Sequence, residues 1–150
     1  MTARARSAHP ILYGTLAVGT LDLLDAFIFF GLRSGATPGR ILQSIASGVF
    51  GRQAARMGIH SMGAGFLLHY FIAFLIVAIF YAASRAIPVL RRRTVAAGLL
   101  YGLAAYFVMN YAVLPLSAAG RGPFVLPVFV NGILIHALGV GLPSAWFARD

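Results

Sequence analysis

Apolar residues along this chain fall into four long stretches, roughly residues 11–33, 63–87, 94–116 and 124–147, with most of the arginines between them. Each stretch reaches the about 20 residues that a helix needs to cross the hydrocarbon core of a bilayer. Lipid offers backbone N–H and C=O groups no partner outside their own helical turns, so each stretch must be a helix. The pattern predicts an all-α membrane protein, a four-transmembrane-helix bundle forming a single integral membrane domain over residues 1–150.

The segment between the first two stretches is too polar to span and too apolar for a free loop. Pro38 and Gly39 interrupt the chain, and residues 39–52 then predict a short helix, interfacial or re-entrant. On its wheel Ile41, Leu42, Ile45 and Val49 share one side. Ser44, Ser47, Gly48 and Gly51 share another, and small residues at that spacing let a neighbouring backbone come close. Arg52 and Arg56 suit lipid phosphates at the headgroup level.

Composition removes the soluble alternatives. With 60% hydrophobic residues and three acids in 150, the chain lacks the charge to cover the outside of a soluble domain. Its net charge of +9 comes wholly from Arg. Those arginines sit between the apolar stretches, where membrane topology places them, so no nucleic-acid partner is expected. The lipid bilayer is the expected partner, together with a possible homo-oligomer. Absence of Cys excludes disulfides, thiolate catalysis and iron–sulfur clusters. No GxSxG elbow, P-loop or GxGxxG is present, so neither an enzyme nor a resident cofactor is expected.

Arginine placement suggests orientation. With the N-terminus inside, Arg4, Arg6, Arg85, Arg91, Arg92, Arg93 and Arg149 are cytoplasmic, against Arg33, Arg40, Arg52, Arg56 and Arg121 outside. The compact run at residues 91–93 weighs most, and it favours both termini on the cytoplasmic side. Arg4 and Arg6 resemble the start of a signal peptide, but two Asp residues inside the following stretch argue for a retained span.

Those two residues, Asp22 and Asp25, are the chief chemical signal. Carboxylates at membrane depth are costly and tend to serve an ion or solute pathway. At 1.5 Å rise per residue, Asp22 lies near the midplane and Asp25 about 4–5 Å further toward the outside. His69 falls about 9 Å from its helix centre on that same side, Asn110 and Asn131 about 7 Å, and His136 near the middle. Asp22, Asp25, His69, Asn110, Asn131 and His136 are therefore the candidates for a polar cavity or ion- or solute-binding site. On their wheels Asp22 and Asp25 share a face that ends at Arg33, a potential ion-pair partner. Asn131 and His136 point to different sides, and both reach one cavity only if their helix is kinked or centrally placed. The structural alternative is an ion pair for the acids, hydrogen-bonded histidines, and asparagines joining helices. Phe29, Phe30, Tyr70 and Tyr81 read as lipid contacts and interface anchors. A bis-His haem needs both imidazoles at one depth, whereas His69 and His136 differ by about 10 Å. No HxxxH or HxxE spacing supports a metal site.

From His69 onward the chain resembles the YagU-type family of small bacterial inner-membrane proteins. The shared features are His69 followed by Tyr81 and Pro88, Gly98-Leu99-Leu100-Tyr101-Gly102, Pro115-Leu116 and His136. Asn110 stands where that pattern carries a third-span His, and the Asp22/Asp25 pair lies outside it. The resemblance implies a multi-span inner-membrane protein and no particular activity. The sequence thus favours a small integral inner-membrane protein acting as a non-catalytic membrane subunit or scaffold. The alternatives are a small-solute, ion or proton transporter or channel component, and a haem- or metal-binding membrane redox protein.

Overall fold

The computed structural model describes residues 9–149, so Arg4, Arg6 and Asp150 lie outside the described residues. Four helices long and apolar enough to span a membrane make up most of it: α1 (His9–Ser34), α3 (Ile59–Ala86), α5 (Thr94–Leu116) and α6 (Leu126–Ala148). Between α1 and α3 lie α2 (Pro38–Phe50) and a 3-10 segment, Gly51–Arg56; a one-turn helix, α4 (Pro88–Arg92), joins α3 to α5. No strand occurs among the described residues. At 23 to 28 residues the spanning helices exceed the bilayer core of about 30 Å. The chain is a multi-pass membrane protein.

Burial follows the logic of lipid rather than water. Leu12, Leu32, Leu67, Leu100 and Leu116 all point outward. The interior is built from small and compact side chains: Val18, Ala73, Val77 and Val140 in one cluster, Phe80, Ala145 and Ala148 in another. Between helices in lipid there is little hydrophobic gain to collect, so close van der Waals approach has to hold them together. Glycine makes that approach possible. A Cβ on Gly102 would collide with the His136 carbonyl, and one on Gly141 with the Gly98 carbonyl, so α5 and α6 meet backbone to backbone. Helix α6 is the hub, packing on α5, α1 and α3, while α3 and α5 do not pack along each other.

Helix α2 starts where the chemistry directs. Gly35 turns the chain at φ 67°, the Thr37 hydroxyl accepts from the Arg40 N–H, and Pro38 occupies the first turn. Gly51, at φ 58°, ends it. On its small-residue side the backbone that comes close is that of Ala118, not α3. Close approach to α3 comes from Gly65 of α3, where a Cβ would strike the Leu42 carbonyl, and not from the Ser44/Gly48 side of α2. That small-residue side, with Ile41 and Ile45, faces a cavity instead. The Ala118 N–H donates to the Gly48 carbonyl at 3.0 Å, tying α2 to the turn after α5.

Two spans depart from α geometry at matching places. Residues Met109–Val113 in α5 and His136–Gly141 in α6 form π segments. The Leu114 N–H bonds the Met109 carbonyl and the Leu142 N–H bonds the Ala137 carbonyl, each five residues back. Pro115 and Pro143 come next in the chain. Each lacks an N–H and crowds the carbonyl four residues earlier, and the widened turn relieves that clash.

At the end of the bundle away from α2, arginines satisfy terminal carbonyls. Arg91 Nε donates to the Ser84 carbonyl at 3.1 Å, and Arg85 donates to the Ala148 carbonyl at 3.3 Å. Tyr81, expected as an interface anchor, lies under the Arg85 guanidinium at 4.4 Å. Arg149 stacks on Trp146 at 3.6 Å. Cations at helix C-termini also complement the helix dipole.

Candidate functional site: a polar-floored cavity beneath α2

Where α3 and α5 stand apart, the fold leaves a cavity of about 550 Å3. Helices α1 and α6 contribute Asp22 and His136, α3 contributes His69, and the π segment of α5 contributes Asn110. Helix α2 lies across it with Arg40, Ser44 and Gly48. At the far end the Tyr101 hydroxyl donates to the Ile76 carbonyl at 2.6 Å, and its ring meets Phe80 edge-on, bridging α3 to α5. The remaining lining is largely apolar, with residues such as Leu23, Ile72 and Val113. Phe30, expected at the lipid surface, also lines it.

Four of the six candidates thus share one space: Asp22, His69, Asn110 and His136. The other two leave it. Asn131 Nδ2 donates to Asp25 Oδ2 at 2.7 Å, clasping α6 to α1. The acids, placed on one face by the wheel, therefore part company. Three residues turn the helix by about 300°, and that remainder sends Asp25 to α6 and leaves Asp22 in the cavity. Arg33 forms no ion pair with either acid among the described residues. His136 reaches the cavity because it opens the π segment of α6, which re-aims side chains relative to a straight helix.

Three of the four polar candidates in the cavity are oriented by backbone carbonyls. His69 Nε2 lies 2.8 Å from the Gly19 carbonyl, His136 Nδ1 lies 3.0 Å from the Gly132 carbonyl, and Asn110 Nδ2 donates to the Tyr106 carbonyl at 3.0 Å. His136 Nδ1 is also 4.0 Å from Asp22 Oδ1, with 17% and 26% of these side chains exposed, so neither is sealed off. The Tyr106 ring packs edge-on to the His136 ring at 5.3 Å, in space that Gly132 leaves open. Tyr70 binds Thr20 through its hydroxyl at 2.9 Å and lies against Gly19, joining α3 to α1 instead of anchoring in lipid.

Arg40, Tyr101 and Tyr106 were not singled out by their sequence positions. Tyr101 and Tyr106 look like any aromatic residue in a span, and only Gly132, opposite Tyr106, hints at an inward ring. Among the described residues no group of three His, Asp or Glu side chains is placed to hold a metal ion. The class defined by fold and site is a multi-pass helical membrane protein with a partly polar cavity under a short capping helix. No family model matches the chain, and no curated protein or solved structure matches it either.

Proposed function

We propose that this protein binds a small solute or ion inside the membrane, as a component of the transporter or channel class. One observation carries the reading: Asp22, an acid on a membrane-spanning helix, faces a cavity with His69, Asn110 and His136, and its one ion-pair contact among the described residues is His136 Nδ1 at 4.0 Å, beyond hydrogen-bond reach. An intramembrane carboxylate with no hydrogen-bond donor bound to it is expected to serve a ligand. The cavity volume falls within the range of small-molecule sites, about 300–1,000 Å3.

A second reading, helix pairing without a ligand, is favoured by the Asp25–Asn131 hydrogen bond. The two coexist, since the acids do different work. The arginine run at residues 91–93 supports that end being cytoplasmic, and the YagU-type resemblance supports a bacterial inner membrane. One chain has little room for alternating access, so a homo-oligomer is the proposed transporting unit. Kinship with YagU-type proteins belongs to the same proposal and rests on residues 98–102, Pro115, Leu116 and His136.

Native mass spectrometry of protein released from its own membranes tests the reading. A small molecule is expected to travel with the native protein, to be lost from Asp22→Asn, and to persist on Asp25→Asn. An identical spectrum of bound species for all three proteins would count against a site at Asp22.

A further inference from the structure

We infer that the ligand is an organic cation, an amphipathic ammonium whose N–H groups meet Asp22 and whose apolar body fills the rest of the cavity. This rests on the binding role proposed above and names the chemistry of its ligand.

Hydrogen-bond roles around the cavity decide the matter. A backbone carbonyl can only accept, so each side chain that binds one must present its N–H there. In its neutral form His69, donating through Nε2 to Gly19, keeps Nδ1 as a lone-pair acceptor. Neutral His136, donating through Nδ1 to Gly132, keeps Nε2 as an acceptor. Asn110 gives one of its two amide N–H groups to Tyr106 and keeps Oδ1. Asp22 contributes a carboxylate with no hydrogen-bond donor bound to it among the described residues. The Ser117 hydroxyl, further out, is engaged in donating to the Leu114 carbonyl. Four side chains from four helices thus offer acceptors into one space.

Donors are concentrated on the opposite wall. Arg40 and Ser44 both lie on α2, exposed at the rim, with donors to spare, and on the floor the second N–H of the Asn110 amide is the remaining one beside neutral imidazoles. A carboxylate-bearing ligand placed with its head among Asp22, His69, Asn110 and His136 would meet lone pairs and a negative charge. An ammonium head meets the reverse, and a charge-assisted bond to a carboxylate is among the stronger ones available. Apolar residues between floor and rim, Leu23, Ile72 and Val113 among them, suit a hydrocarbon body and not a hydrated inorganic ion.

Three probes of one shape separate the possibilities: 1-naphthylmethylammonium, 1-naphthalenemethanol and 1-naphthoate. Binding is measured by equilibrium dialysis against phosphatidylcholine nanodiscs with and without the full-length protein. The ammonium is expected to bind saturably and most tightly, the alcohol more weakly, and naphthoate not above empty discs. Asp22→Asn is expected to weaken the ammonium about ten- to a hundredfold and to change the alcohol little. Thermal unfolding of the variant in the same discs shows whether it is folded. Asp22→Glu, which keeps the charge, is expected to recover part of the affinity. Saturable binding led by naphthoate or the alcohol would overturn the cation assignment while leaving a ligand site in place. Ammonium binding indifferent to Asp22→Asn in a folded variant would also overturn it. No saturable binding of any probe would overturn this assignment together with the binding role.

Discussion

Asp22 and Asp25 show how far three positions along a helix can separate two identical side chains. Both were recognisable in the sequence as costly residues at membrane depth. Their division of labour was not, because the wheel places them within about 60° of one another and α6 falls between the two directions. Asp25 finds Asn131 at 2.7 Å and acts as an interhelical clasp; Asp22 finds the cavity. A double-mutant cycle with Asp25→Ala and Asn131→Ala, followed by unfolding in mixed micelles, should give a coupling of about 0.6–1.7 kcal/mol. The same cycle on Asp22 and Asn131 should give none, as these side chains do not bond each other. His69 and His136 were legible as buried polar groups, yet their carbonyl partners on Gly19 and Gly132 depend on packing that no residue pattern encodes.

Elements were read more faithfully than side chains, since hydropathy alone decides whether a segment can lie in lipid. Spans estimated at 11–33, 63–87, 94–116 and 124–147 compare with helices His9–Ser34, Ile59–Ala86, Thr94–Leu116 and Leu126–Ala148. The helix estimated at 39–52 compares with Pro38–Phe50. Which neighbour it docks on is not legible from its own wheel, because the glycine that admits it sits on α3. Gly65 admits the α2 backbone, so the small residues of α2 were free to face the cavity. The Gly98/Gly102 pair, by contrast, was visible as small-xxx-small spacing and does mark the α5–α6 contact. Gly102→Ala pushes a Cβ into the His136 carbonyl and is expected to cost about 1–3 kcal/mol in micelle unfolding. Gly63→Ala, on an open face of α3, is the control and should be neutral or mildly stabilising. Equal effects would refute the close-packing account. The π segments escaped sequence reasoning because a proline announces a disturbed helix without saying whether it kinks or widens. Here it widens, and Asn110 and His136 both sit in the widened turns.

Across the whole molecule, one arrangement organises the rest. Leucines cover the perimeter, glycines draw α6 onto α5, and α3 and α5 are left apart in the half of the bundle near α2. That gap becomes a cavity because α2 covers one end and the Tyr101–Ile76 bond closes the other. Polar groups on four helices can then share one space. Composition alone established that few hydrophilic side chains would be available; which ones meet follows from helix order around α6, a property of the folded chain.

Spin-label accessibility in bilayers tests this enclosure most directly, and the absence of Cys makes single labels clean to introduce. Labels at Ile72→Cys and Val113→Cys, in the cavity wall, are compared with Ile28→Cys and Leu100→Cys, whose native side chains are 61% and 68% exposed on the perimeter. The perimeter labels should be relaxed strongly by oxygen dissolved in lipid and weakly by a water-soluble nickel chelate, and the cavity labels should show the reverse preference. Oxygen-dominated relaxation at all four positions would contradict a polar enclosure beneath α2.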